Sequence, residues 1–257
     1  MQIASLLRQY TVEIASLCAA IILWQLISDY MVKNAFFLPS FTDVLMSFSY
    51  EWRNMVYDAR VSLIHFVIGM ITGLCVAVPL GICMGWFQLI NRIADPIIEI
   101  VRPIPPLAWI PFAIIWIGIS HTSAGFIVFI GAVFPILINT YVGFRSVPKV
   151  LIETAMVLGC TKSHDLIRRV AFPSAIPHIA TGIRVAMGVA WMCVVAAEMF
   201  GMTSGIGYKI LNWANFHRMD HVMAYMLLLG FISLSIDRIF RYSVERRLYI
   251  WRKGMVA

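Results

Sequence analysis

A handful of ionisable residues in this chain stand where apolar surroundings force them to have a reason. Glu198 lies inside the run VVAAEMFG, and Arg184 lies fourteen residues earlier in the same apolar stretch. A charge deep in such a run costs on the order of 2.5 to 3.5 kcal/mol on membrane-insertion scales and needs compensation. The two residues are about four turns and ~21 Å apart on one helix, so neither is the other's partner. Glu198 therefore reads either as part of a polar path or its gate, or as a structural hydrogen bond between helices near one membrane interface. His217 and His221 in HRMDH stand four apart with Asp220 between them, a spacing that holds zinc on a helix. The string has no H-E-x-x-H acid and no third ligand nearby, which favours a polar rim or a protein contact. His65 is a proton-relay candidate or simply a hydrogen-bonded histidine. No Ser, His and Asp grouping suggests nucleophilic catalysis, and no G-x-x-x-x-G-K-[ST] string supplies a phosphate cradle.

The elements that hold these residues are membrane helices. The chain has 257 residues, of which 61% are hydrophobic and 13% charged, and its mean hydropathy is +0.84. Several apolar runs exceed the ~18 residues that span a bilayer, so the fold class is all-α integral membrane. The net charge of +7 comes from basic residues placed between and after apolar runs, which suits a membrane face and excludes nucleic acid as a partner. Cys18, Cys75, Cys83, Cys160 and Cys193 lack metal spacing and read as small reduced hydrophobes. The first apolar run, preceded only by Arg8, reads as a retained helix, not a cleaved signal.

Six spans are expected, at residues 12–30, 61–87, 105–119, 123–144, 179–200 and 222–240, which put both termini on one side. With those termini inside, fourteen Lys/Arg fall on inner segments and five on outer ones, the arrangement expected for cytoplasmic termini. The segment SFTDVLMSFSYEW in the 31–60 connection reads as a short interfacial helix. The chain divides into a first helix with its outer connection (1–60), a transmembrane core (61–241) and a basic tail (242–257). The tail's RRLYIWRK suits anionic lipid. Pro79, Pro111 and Pro135 lie inside expected spans and read as kinks or as breaks lining a polar path. Most of the eight tryptophans fall near expected span ends, whereas Trp191 falls mid-span and reads as packing.

One polar interruption, residues 144–178, carries five Lys/Arg and lies inside by this count. Pro148 and Gly159 bracket a short helix, VLIETAMVL, in which Glu153 is a single acid beside Thr154 and Ala155. Thr161 or Ser163 can cap a second short helix whose Arg168 and Arg169 suit its negative end, with Pro173 and Pro177 closing it. Two short helices and a tight turn make a projecting knob, packed on its own bundle or docked into a socket on a soluble subunit.

Glu153-Thr154-Ala155, Gly159 and Val170-x-Phe172-Pro173 resemble the EAA loop of ABC importer permeases, written E-A-A, three residues, G, nine residues, I-x-L-P. Thr154 replaces the central Ala, and ten residues separate Gly159 from Val170. Ala94-Asp95-Pro96, Arg102 through Pro111, Ile115 through Ser120, Phe134-Pro135 through Asn139-Thr140, Leu38-Pro39-Ser40 and Val194 through Gly201 resemble the nitrate, sulfonate and taurine branch. Together these strings cover roughly residues 38 to 250. The resemblance implies the type I ABC importer fold, with six transmembrane helices and a cytoplasmic coupling helix in the EAA loop. It implies a second permease copy, a cytoplasmic ABC ATPase dimer that binds the ATP, and an extracytoplasmic solute-binding protein. On that reading this chain is non-catalytic, holds no cofactor or metal and sits multi-pass in a bacterial inner membrane. Glu153, Thr154, Ala155, Gly159, Arg168 and Arg169 then couple to the ATPase. The implied solute is a small anion such as an alkanesulfonate, taurine or nitrate. A carboxylate repels an anion, so Glu198 suits a gate or structural role better than a ligand role. A self-sufficient carrier or channel needs paired ionisable residues or inverted repeats, and an intramembrane enzyme needs facing catalytic groups.

Overall fold

The computed structural model describes the backbone of residues 2–245 and the side chains of residues 14–244. The helices in chain order are α1 (Gln2–Leu26), α2 (Phe41–Trp86), α3 (Gln88–Val101), α4 (Ile110–Ile117), α5 (His121–Arg145), α6 (Lys149–Val157), α7 (Ser163–Leu166), α8 (Phe172–Gly201), α9 (Ile206–Asn215) and α10 (Met219–Phe240). Five helical stretches among the described residues are long and apolar enough to cross a membrane, and a bent helix pair makes a sixth.

The bent pair is the third expected span, and its boundaries differ from the expectation. Residues 105–119 form only a 3-10 turn, Pro106–Trp109, followed by the eight residues of α4. The rest of the span is α3, which meets it at 87°. Pro103, Pro105 and Pro106 leave three backbone nitrogens unable to donate, so one straight helix cannot pass through them. Pro111 consequently lies in the first turn of α4, where its missing N–H is no loss, so it starts a helix within the span and does not kink one. Pro79 and Pro135 do lie inside helices, α2 and α5.

The expected interfacial helix in the 31–60 connection is instead the beginning of α2. Ser40 caps it: its hydroxyl accepts the N–H of Asp43 while the Asp43 carboxylate accepts the N–H of Ser40. No proline follows until Pro79, so the helix runs for 46 residues, or ~69 Å. Its first turns bury Val44 and Met55 against Ile206 of α9 and Tyr225 of α10. The second short helix of the 144–178 loop is also not separate. From Ser163 the chain stays helical through a π-turn (Ile167–Ala171) into α8, and Pro173 and Pro177 sit in the first two turns of α8 without ending it.

The core is a three-helix sandwich of α2, α5 and α8. α2 and α5 run parallel, as the level of their contacts shows. A Cβ on Gly69 would overlap Val128, one on Gly73 would meet Ala132, one on Gly81 would meet Thr140 at 2.7 Å and one on Gly85 would meet Phe144 at 2.5 Å. These glycines, with Ala77, recur every four residues and let two backbones approach closely. α8 runs antiparallel to both: Gly143 faces Ala175 and His178, Gly182 faces Asn139, and Gly131 faces Cys193. Trp191 of α8 stacks on Phe66 of α2 at 4.7 Å, the packing role its mid-span position suggested.

Candidate functional site

At one end of this sandwich α6 stands out from the bundle. Pro148 lies at its N-cap, and its C-terminus closes in a Schellman turn. There Cys160 N–H donates to the Ala155 carbonyl at 2.9 Å, Gly159 N–H donates to the Met156 carbonyl at 3.0 Å, and Gly159 adopts φ +94°. Only glycine takes that backbone without strain. Ala155 is buried, and Ile152 packs on the cluster of Phe144, Val147, Ala171 and Ala175. The opposite face is open. Val150, Leu151, Val157 and Leu158 are exposed, the last two at 87% and 80%, and Glu153 and Thr154 lie exposed among them. Thr154 returns its hydroxyl to the Val150 carbonyl at 2.7 Å, which satisfies it without a partner outside the helix. Arg168 and Arg169 are exposed on the adjoining π-turn. The loop residues singled out by sequence thus gather on one protrusion.

Glu198 lies at the other end, twenty-nine residues and ~44 Å beyond Arg169 along the same helical run. It is fully buried. One carboxylate oxygen accepts Ser62 Oγ at 3.0 Å and Gly207 N–H at 2.8 Å, and the other bonds His65 Nδ1 at 2.7 Å. With Nδ1–H committed to the carboxylate, a neutral His65 accepts at Nε2 from Nδ1 of the exposed His121, 2.7 Å away. A second buried acid, Asp58, accepts Gly205 N–H at 3.2 Å and the Tyr225 hydroxyl at 3.1 Å. Ile206 N–H donates to Ser62 Oγ at 2.9 Å. Three successive backbone donors that open α9 are therefore held by α2 and α8, two of them by carboxylates, as a helix N-terminus favours. Glycine is required at both ends of this turn. Gly205 has φ +110° with its Cβ position against the Glu198 carboxylate, and a Cβ on Gly207 would strike the Val195 carbonyl.

Sequence reasoning found Glu198 but not Asp58, Ser62, His121 or the Gly205-Ile206-Gly207 turn. The G-x-G string after a short apolar break was the available signal. Its partners in α2 lie more than 140 residues away, and no local pattern names them. His217 and His221 are not brought together. His217, at φ +59°, sits edge-on to Phe36, while His221 packs against Trp213 at 4.3 Å. Arg218 pairs with Asp220 at 2.8 Å, and that carboxylate raises the Arg218 pKa above its ordinary value. His217, Arg218 and Asp220 line a cleft against Phe36, Asp43 and Ser47. Arg184 finds its carboxylate in α10: its guanidinium pairs with Asp237 at 3.1 Å. The basic string RRLYIWRK falls outside the described residues.

The chain has clear relatives. It is 39% identical to a putative ABC transporter permease protein of Methanocaldococcus jannaschii, over 96% of this chain and 94% of that one. It is 30% identical to the taurine transport system permease protein of Escherichia coli, over 95% and 90%. A putative aliphatic sulfonates permease of Bacillus subtilis and a nitrate import permease of Synechococcus elongatus match at 31% and 35% identity, over 91% and 70% of this chain and 85% and 65% of theirs. In three dimensions it superposes on a chain of the MetNI methionine ABC transporter in an inward-facing form, with a TM-score of 0.57 at 19% identity, covering 74% of this chain and 97% of that one. Residues 77–249 match the family described as the binding-protein-dependent transport system inner membrane component. With the type I importer fold and these relatives together, the chain belongs to that family, as an ABC importer permease of the nitrate, sulfonate and taurine branch.

Proposed function

We propose that this chain forms the translocation path of an ATP-driven importer for a small anion of the sulfonate, taurine or nitrate kind. Two copies of it work with an ATPase dimer that binds and hydrolyses the ATP, and with a solute-binding protein outside. The end carrying α6 faces the cytoplasm, together with both termini, in keeping with the bias of Lys and Arg toward that side.

The observation that carries this reading is the surface of α6. A nine-residue helix that starts at Pro148 and closes in a Schellman turn presents Val150, Leu151, Val157 and Leu158 to solvent around Glu153. An apolar face on a rigid, projecting helix is the surface expected of an element that seats in a groove on another protein. Its inner face rests on Phe144, Ala171 and Ala175, at the ends of α5 and α8. A push on α6 is therefore delivered directly to two of the three core helices. Thr154, Ala155, Gly159, Arg168 and Arg169 shape and flank this contact. At the far end, Glu198 acts as an anchor that lets α8 and the start of α9 move as one piece with α2.

Cross-linking tests the coupling reading. With Glu153→Cys and a short bifunctional thiol reagent, membranes containing the whole transporter should yield an adduct between this chain and the ATPase, with a yield that changes when ATP is bound. Solute uptake by the purified chain alone, with neither ATPase nor binding protein, would instead identify a self-sufficient carrier and end the proposal.

A further inference from the structure

The ion pair between Arg184 and Asp237 differs from the acid clusters at the α9 end. Arg184 Nε donates to Asp237 Oδ1 at 3.1 Å and Nη2 to Oδ2 at 3.5 Å, yet the two side chains remain 40% and 35% exposed. Glu198 and Asp58, by contrast, are closed off completely. Along α8, Arg184 lies ~14 Å from Ala175 at the α6 end and ~21 Å from Glu198 at the other, which places it within the ~30 Å hydrocarbon layer. It is the only Lys or Arg in α8. Ion pairs at such depth face a bundle interior or a water-filled cavity, because lipid solvates neither partner. α8 has a face suited to such a cavity. Thr181, Val185, Gly188 and Met192 form an exposed stripe beside Arg184, and a Cβ built on Gly188 meets nothing within 4 Å.

From this geometry we infer that Arg184 is an oxyanion contact inside the translocation path, with Asp237 as the counter-ion that occupies it between solutes. The guanidinium fork fits two oxygens of a sulfonate or nitrate as well as it fits a carboxylate. An arriving anion takes over the donors that Asp237 gives up, and the freed Asp237 carboxylate, already 35% exposed, turns to the water of the path. Release of the anion restores the pair between α8 and α10. The inference rests on the anion-import reading given above and adds to it the residue that meets the solute.

The test uses the whole transporter, reconstituted with its ATPase and binding protein, and measures uptake of taurine and of nitrate. Arg184→Gln should lower uptake about tenfold or more, the effect of removing one charge-assisted contact. Asp237→Asn, which removes the competing carboxylate, should raise uptake at subsaturating solute. The exchanged pair Arg184→Asp with Asp237→Arg should assemble with the ATPase yet import poorly. A purely structural ion pair gives the opposite pattern: both single variants impaired alike and the exchanged pair restored, which overturns the inference. As a second reading, Gly188→Cys in a background whose five cysteines are replaced should react with an anionic methanethiosulfonate, more slowly when taurine is being transported. No reaction means that lipid or the second copy covers this stripe, which also overturns it. Failure of the unmodified transporter to import either solute removes the import reading and this inference together, whereas normal uptake by Arg184→Gln removes this inference alone.

Discussion

The Glu198 carboxylate in α8 accepts the backbone N–H of Gly207 in the first turn of α9 at 2.8 Å, nine residues further along the chain. The same oxygen also takes the hydroxyl of Ser62 in α2, so one atom ties three helices together. A charge that membrane insertion makes expensive is thus compensated by one backbone and two side-chain hydrogen bonds.

Removing that carboxylate strands the donors of both its oxygens. In Glu198→Ala, the Gly207 N–H and the Nδ1–H of His65 lose their acceptor while buried, and each such group costs about 1 to 3 kcal/mol. The detergent-solubilised protein should melt several degrees lower, and Glu198→Gln, which keeps one acceptor oxygen, should fall between it and the unmodified chain. Equal melting temperatures for all three would mean that the turn is held by something else.

Glycine positions divide sharply by their surroundings. Gly205→Ala meets both a positive-φ extended backbone that glycine alone adopts readily and the Glu198 carboxylate, a strain of about 1 to 3 kcal/mol before any displacement of the acid. Gly81→Leu pushes α2 away from Thr140 and the Leu137 carbonyl of α5, and overpacking of that kind costs about 1 to 3 kcal/mol. Gly230→Ala faces open space and should change nothing. Thermal unfolding of the three variants side by side checks the parallel contact of α2 and α5, and a stable Gly81→Leu protein would refute it.

Uptake and assembly should separate at α6. Gly159→Val disrupts the Schellman turn at φ +94°, and Glu153→Lys reverses the one acid on its exposed face. Neither position touches the transmembrane core, so both variants should reach the membrane at normal abundance, hydrolyse ATP with the ATPase and yet import about tenfold less solute or worse. Normal uptake in both variants would remove α6 from the coupling role.

Much of this architecture was readable from local pattern. The capping box at Ser40, the Pro148 and Gly159 limits of α6 and the ends of α5 depend on residues within a few positions of one another. By sequence, Pro103, Pro105 and Pro106 mark the start of the third span, and the helical length before them was missed because α3 carries charges that read as a connection. The small residues from Gly69 to Gly85 announce a close helix contact without saying with which helix. The pairing of Arg184 with Asp237 spans 53 residues, and that of Asp58 with Gly205 spans 147.

Taken by itself, the order of residues determined that this chain crosses a membrane several times and extends one short stiff helix beyond it. Both follow from free energies that add along a contiguous stretch: transfer of apolar side chains into lipid, and satisfaction of helix ends. The tertiary structure alone decided which helices lie parallel, which acids are sealed and which ion pair stays partly exposed. Those outcomes depend on backbones meeting closely enough for a donor and an acceptor from distant segments to touch, a condition that only the packed fold sets.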